Sequence, residues 1–345
     1  MIEAKDGEIR LVSTNLEMGV KTKIRGKIEK EGVYTVDAKI ISDYIALLPN
    51  EKIDIELKDN KIIIELNKNK TKITGSPAED FPVIPVVTQE NGYQISINEF
   101  KKALAQTVFA VSNTETRVEL SGVLFIFTGD ELVLSATDSY RLTEKKIKAK
   151  AETKSEGEKK IIVPAKTVLE LVRILGAARE NTAINKNAEE IKIYFTDNQL
   201  LFSFGGVELV SRLIEGQYPD YKQIIPANSK TRAVVNRQEL MRSIKIAALF
   251  SKENVNDVNL DLPQNRNVVI VSSASGQVGE NITELEAVVD GDDNGVVVNY
   301  RYFLEGVNNM SEENVIISII NPNTPCLIKA ENDNSYVYII MPIKQ

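Results

Sequence analysis

Val36-Asp37-Ala38-Lys39-Ile40-Ile41, Val163-Pro164-Ala165-Lys166-Thr167-Val168 and Val298-Asn299-Tyr300-Arg301-Tyr302-Phe303 are three versions of one pattern, and such self-similarity decides how a long chain is read. Each opens with an apolar residue followed by Asp, Pro or Asn, types suited to a helix N-cap or first turn. Apolar residues continue at helical spacing through Tyr44, Leu47 and Leu48, through Leu171, Ile174 and Leu175, and through Leu304 and Val307. The pattern predicts three equivalent short helices.

The segment after each helix also recurs. Ile53 to Leu57 alternates, turns at Asp59-Asn60 and returns as Ile62-Ile63-Ile64. Ile191 to Phe195 turns at Asp197-Asn198 and returns as Leu200-Leu201-Phe202. These read as hairpins, Asp and Asn tolerating the positive φ of tight turns. In the third copy Val315 to Ile320 turns through Asn321-Pro322-Asn323 and returns as Cys326-Leu327-Ile328. The copies close alike on Phe81-Pro82-Val83-Ile84-Pro85, on Tyr218-Pro219 to Ile225-Pro226, and on Ile340-Met341-Pro342.

A second helix opens copies two and three, where Ser96 and Asn236 stand three residues before Glu99 and Glu239 as capping boxes. Apolar stripes continue from them at Phe100, Ala103, Leu104 and Val108 and at Leu240, Ile244, Ala247 and Ala248. Copy one starts directly in the strand pair Ile2 to Ala4 and Ile9 to Val12, which matches Val123 to Phe127 and Leu132 to Leu134. Against its sister repeats it lacks about one strand and one helix before Met1. Polar stretches near Thr88 to Gly92 and Ala227 to Lys230 mark boundaries. The expected architecture is α+β, three repeated domains over 1–90, 91–227 and 228–345, each of antiparallel strands with one or two helices on one side.

Composition agrees with several cores. The chain has 345 residues, 43% hydrophobic and 26% charged, enough for two or three domains of roughly 100 to 150 residues. No stretch approaches the ~18 apolar residues of a membrane span. The start, Met1-Ile2-Glu3-Ala4-Lys5-Asp6, has no secretory character, and the single Cys326 has no internal partner, so a reducing cytoplasm is expected. Histidine is absent, which removes the commonest general base and metal ligand. The formal net charge is −7, so any nucleic-acid contact needs a segregated basic surface.

Lys39, Lys166 and Arg301 fall at one equivalent helix position, and Lys102 aligns with Arg242. Lys101, Arg173, Arg237 and Lys245 lie near them on predicted helices, while Glu29 to Glu31, Glu79-Asp80 and Asp290 to Asp293 fall on strands and loops. If the helices face one axis, these side chains form a basic wall that meets phosphates without reading bases.

Five segments in order carry a family resemblance: Leu120-Ser121-Gly122-Val123-Leu124-Phe125, Ala136-Thr137-Asp138-Ser139-Tyr140-Arg141-Leu142, Ile162-Val163-Pro164-Ala165-Lys166, Gly216-Gln217-Tyr218-Pro219-Asp220-Tyr221, and Ile340-Met341-Pro342-Ile343-Lys344. Together they resemble the β subunit of bacterial DNA polymerase III, the sliding clamp. The resemblance implies a head-to-tail homodimer that encircles double-stranded DNA, with helices lining the hole and sheets outside, and no cofactor. It implies as partners the polymerase III catalytic subunit, the clamp loader, repair polymerases and other proteins bearing clamp-binding motifs. Their short peptides would enter an apolar groove between domains 2 and 3. By motif match that groove comprises Leu120, Thr137, Ser139, Tyr140, Arg141, Leu142, Pro219, Gln223, Ile224, Pro325, Ile339, Ile340, Met341, Pro342 and Ile343. Without the resemblance, Leu142, Ile224 and Ile339 read as core. Leu249 and Phe250 on one side and Phe81 on the other would contribute to the contact between copies. The family's first domain begins with a strand and helix not found here, so either Met1 is not the natural start or the domain is shortened. Gln223 and the ending Lys344-Gln345 also depart from the family's Arg and Arg-Leu.

Asp138 and Arg141 read as a structural pair that orients its loop, and Gly291-Asp292-Asp293-Asn294-Gly295 as a hairpin turn, since it lacks the spacing of a calcium loop. Two rivals remain at this level: a repeat-built peptide-binding scaffold that never encircles DNA, and an enzyme with a carboxylate site.

Overall fold

The computed structural model describes residues 1–114, 116–153, 157–177, 189–252 and 254–344, so the terminal Gln345 lies outside the described residues. The first repeat runs β1 (Ile2–Lys5), β2 (Glu8–Thr14), β3 (Met18–Ile24), β4 (Gly32–Tyr34), α1 (Ala38–Ala46), β5 (Asp54–Lys58), β6 (Lys61–Leu66) and β7 (Asn69–Thr74). The second runs β8 (Tyr93–Ser96), α2 (Ile97–Val108), β9 (Gly122–Thr128), β10 (Glu131–Thr137), β11 (Arg141–Lys148), β12 (Lys150–Ala151), β13 (Glu158–Pro164), α3 (Ala165–Ala177), β14 (Glu190–Phe195), β15 (Gln199–Phe204) and β16 (Val207–Arg212). The third runs β17 (Thr231–Asn236), α4 (Arg237–Ala247), β18 (Asp257–Leu262), β19 (Val268–Ser275), β20 (Gly279–Gly291), β21 (Asn294–Asn299), α5 (Tyr300–Asn308), β22 (Asn314–Ile319), β23 (Cys326–Ala330) and β24 (Asp333–Ile340).

The predicted caps are made by local chemistry. Asp37 accepts from the Ile40 N–H, Asn236 from the Gln238 and Glu239 N–H groups, and Asn299 from the Arg301 and Tyr302 N–H groups, each satisfying donors that a helix start leaves orphaned. Asp59 and Asn60 both take positive φ, 53° and 58°, as a two-residue hairpin turn requires. Asp197-Asn198 differs from expectation: neither residue has positive φ, and the turn is closed by the Thr196 N–H on the Gln199 carbonyl at 2.9 Å.

Chain folding regroups the repeats into two compact units. One contains Met1–Ile97, Ala151–Thr153 and the described residues of 173–213; the other contains Asn98–Lys150 and the described residues of 154–172 and 214–345. The first unit holds a sheet in the order β12-β8-β14-β15-β16-β3-β2-β1-β4 and a separate sheet β5-β6-β7. The second holds β13-β9-β10-β11-β24-β23-β22-β17-β20-β19-β18-β21. Strands from neighbouring repeats thus pair directly, β3 with β16 and β11 with β24, both antiparallel.

In the second unit the core gathers Leu240, Ile244, Val269, Phe303, Val307, Ile317 and Tyr338 under α4 and α5. Phe303 is fully buried, a burial that stabilises by about 1.5–3 kcal/mol. Gly306 lets α5 settle on the sheet, because a Cβ there would stand 2.0 Å from the Tyr338 ring. The first repeat is looser. Ile41 and Tyr44 of α1 pack partly buried on Tyr34, Ile62, Ile64 and Ile73, but α1 buries no residue fully. The expected apolar stripe does not reach Leu47, which is the C-cap and 85% exposed. The run from Gly291 to Gly295 is not a hairpin either. Its flanking strands pair elsewhere, β20 with β17 and β19, β21 with β18.

Candidate functional site

The expected groove lies wholly within the second unit, around the β10 to β11 turn. The Thr137 hydroxyl accepts from the Ser139 N–H (3.1 Å) and donates to the Arg141 carbonyl (2.6 Å), while Asp138 Oδ1 accepts from the Tyr140 and Arg141 N–H groups, both at 3.0 Å. This closure forces Ser139 to φ 77° and turns Tyr140 outward, 64% exposed. Arg141 locks the turn from beneath. Its Nε donates to Asp138 Oδ2 (2.9 Å), its Nη1 pairs with Glu305, and its Nη2 donates to the Phe109 carbonyl (2.8 Å). The guanidinium also lies 5.3 Å from the Phe109 ring centroid and 4.5 Å from that of Tyr302. Burial works against its charge, but the carboxylates of Glu305 and Asp138 outweigh it and raise the pKa above the ordinary arginine value. The reading of Asp138 and Arg141 as a structural pair agrees with this geometry.

Opposite the turn, Tyr218 donates nothing to the loop but accepts from the Thr137 N–H (3.1 Å), and Tyr221 donates to Glu144 Oε2 (2.7 Å). Burial first, and Glu144 second, push the Tyr221 phenol above its ordinary range, so it stays a donor. The third wall is the end of β24, where the Met341 N–H donates to the Tyr140 carbonyl (2.8 Å).

The candidate residues divide by exposure. Leu120, Thr137, Arg141, Leu142, Ile339 and Ile340 are buried; Leu142 and Ile339 pair across β11 and β24 and pack with Leu124, Tyr221 and Leu327. Leu142 and Ile339 form the floor, while Arg141 and Ile340 lie on the alternate face of the same strands, Ile340 in the core under α4 and α5. Ile224 is 41% and Met341 37% exposed, so Ile224 is not core; with exposed Ser139, Tyr140 and Gln223 and partly exposed Pro219, Pro325, Pro342 and Ile343 they form the accessible rim. Gln223 is tied to Asp220 at 2.8 Å. Sequence reading missed Phe109, Tyr302 and Glu305, which lie far from Arg141 in the chain.

The basic residues occupy matched helix positions. Lys39, Lys166 and Arg301 are each the second residue of their helix, and Lys102 and Arg242 each the sixth. All five are exposed, as are Arg173 and Lys245, with Lys101 intermediate. A base in the first turn works against the helix macrodipole, so the macrodipole does not account for these three placements. Among the described residues the five α-helices carry nine basic and five acidic residues in a chain of net charge −7. Arg237 differs: it is half-buried and donates to the Glu312 carbonyl at 3.0 Å.

Several strands have an edge that no described strand covers, among them β7 and part of β20, which matter for their place in the repeat. β3 pairs with β2 and β16, and β11 with β10 and β24. Their counterpart in the third repeat, the Gly279–Glu286 part of β20, pairs only with β19. β16 and β24 have as their counterpart in the first repeat β7, which pairs only with β6. Exposed Leu249, Val278 and Ile282, and partly exposed Phe250 set against Gly279, flank the β20 edge. Phe81, expected on the other side of that contact, is half-buried and packs in its own unit against the cluster that contains Val12, Ile84 and Val210.

Residues 1–85, 94–220 and 222–344 match the N-terminal, central and C-terminal domains described for the DNA polymerase III beta subunit. The beta sliding clamp of Staphylococcus aureus (strain COL) is 29% identical over 99% of this chain and 90% of its own length. The solved DNA polymerase sliding clamp from Bacillus subtilis is 28% identical, with a TM-score of 0.89 over 100% of this chain and 90% of its own. The DNA polymerase III beta subunit from Thermotoga maritima is 25% identical, with a TM-score of 0.90 over 100% and 90%.

Proposed function

The chain belongs to the DNA polymerase III beta-subunit family, the sliding clamps, and from that premise we propose that two copies close head to tail around duplex DNA, bind it without sequence preference and tether partner proteins through the Thr137–Met341 groove. The observation that carries this reading is the pair of uncovered edges on β7 and β20. They hold the same two places in the repeat as the strands that pair at β3–β16 and β11–β24, so a β20–β7 contact between copies repeats that junction. Opposite charges support it: β7 contains Lys70 and Lys72, and the facing part of β20 contains Glu280, Glu284 and Glu286. An edge left open invites another strand.

Lys39, Lys166 and Arg301, with Lys101, Lys102, Arg173, Arg242 and Lys245, supply cations for phosphate contacts, which fix position and carry no base information. The groove offers an apolar floor and an adaptable Met341, suited to short motifs of the polymerase III catalytic subunit, the clamp loader and repair polymerases. Tethering raises their effective concentration at the primer end without catalysis by the clamp itself. Loading onto nicked circular DNA followed by gel filtration tests the ring: the protein stays with the circle and is lost on linearisation. Equal loss from both forms refutes encirclement.

A further inference from the structure

The first unit contains a cavity of about 330 Å³ whose walls repeat the groove at a different junction. The turn from β2 to β3 has the hydrogen bonds of the β10 to β11 turn one for one. The Thr14 hydroxyl accepts from the Leu16 N–H (3.1 Å) and donates to the Met18 carbonyl (2.8 Å), and Asn15 Oδ1 accepts from the Glu17 (3.1 Å) and Met18 (2.9 Å) N–H groups. Leu16 takes φ 75° where Ser139 takes 77°. The Arg212 N–H donates to the Glu17 carbonyl at 3.0 Å, as Met341 does to Tyr140. Val210 and Ser211 face Gly19 and Met18 across β16 and β3, as Ile339 and Ile340 face Leu142 and Arg141. Pro82, which holds the place of Pro219 in the repeat, lines the cavity with Val83, Ile84 and Pro85.

We propose that this cavity is a second peptide-docking site, taking an apolar side-chain pair from a partner protein with a neighbouring carboxylate directed to Arg212. The assignment rests on reading the Thr137–Met341 groove as a peptide site. The floor is Val210 and Ile84, and the volume is near the lower end, roughly 300 Å³, of pockets that hold small ligands. Leu16 and Val83 stand at the mouth, 68% and 92% exposed. A leucine at positive φ is sterically costly, and here the cost presents an apolar side chain to solvent beside a cavity. Gly19 replaces Leu142, and the Ile84 side chain fills its place, 2.6 Å from where a Cβ would lie. Arg212 replaces Met341, and Gln199, opposite Arg212 on β15, stands where Pro325 precedes β23. Lys21, Arg10 and Glu3 line a second cavity of about 300 Å³ that shares Pro82, Val83 and Ile84 with the first, and there Arg10 is already paired with Glu8 and Glu3. With Glu17 also in the lining of the first cavity, Arg212 in the place of Met341 is the feature that selects a carboxylate beside the apolar pair.

The test is methyl NMR of the full chain labelled at Met and Ile, titrated with a pool of N-acetylated, C-amidated hexapeptides carrying two adjacent Leu or Phe residues next to one Asp. The proposal expects saturable shifts at Met18 and Ile84, abolished by Val83→Glu and weakened at least roughly tenfold by Arg212→Glu, with the Met341 response retained in both variants. Shifts at Met341 alone overturn the second site and leave the groove intact. Shifts at Met18 and Ile84 alone support the second site and remove the groove reading; no shift at any of the three removes both. Concentration-dependent shifts of Met18 and Ile84 without peptide assign the cavity to a second copy of the chain and overturn the proposal.

Discussion

The guanidinium of Arg141 rests 4.5 Å from the ring centroid of Tyr302, joining the turn before β11 to α5 in the next repeat. Tyr302 in turn stacks with Tyr140, ring centroids 6.4 Å apart, so one buried cation positions an exposed rim residue.

Replacing Arg141 with Ala leaves Asp138 without its side-chain partner and strips the turn of its support. Removing one member of a buried ion pair costs about 3–5 kcal/mol. Urea unfolding of the Arg141→Ala protein should show a loss of this order, and peptide binding to the Met341 groove should weaken with it. An unchanged midpoint would show that the cage contributes nothing net.

Charge reversal at Lys39, Lys166 and Arg301 should move stability and DNA binding in opposite directions. Each Glu in a first turn gains roughly 0.3–1 kcal/mol from the macrodipole, while each lost phosphate contact lowers the slope of log affinity against log salt by about 0.9. Thermal melts and salt titrations on a short duplex measure the two effects. A stabilised triple variant with an unaltered salt slope would mean these residues do not meet DNA.

The β20–β7 contact predicts that Lys70→Glu with Lys72→Glu shifts the protein toward monomer, and that Glu280→Lys with Glu286→Lys in the same chain restores association. Sedimentation velocity reads the outcome. Opposite-charge pairs across strands contribute roughly 0.2–1 kcal/mol each, so the change should appear as a several-fold weaker dimer. Failure of the swapped charges to restore it would argue for another register.

Acid sensitivity should arise in part from Lys145 and Asp333, 2.9 Å apart across β11 and β24. Burial alone would raise the Asp333 pKa, but the Ser335 and Lys145 hydrogen bonds overcome it and hold the value below the ordinary range. A depressed carboxylate contributes stability above its unfolded pKa, about 3.9, and loses it as pH falls through the lower folded value. Asp333→Asn should therefore destabilise at neutral pH and flatten the decline below about pH 4. Parallel acid limbs for the two proteins would discount the pair.

The amino-acid sequence by itself determined the repeat, the hairpins that follow the three matched helices, and the helix starts, because each is written in neighbouring residues: Asp37 and Asn299 cap the helices they precede, and Asp59-Asn60 makes its own turn. The matched placement of Lys39, Lys166 and Arg301 was legible there too. Which strands meet between repeats was decided only in three dimensions. Leu142 finds Ile339, and Gly19 finds Val210, across separations that local periodicity does not encode, since any apolar strand of suitable face could pair there. The Arg141 cage, the open edges of β7 and β20, and the cavity beside Leu16 all depend on those pairings, so they became legible only once burial and register had selected one arrangement.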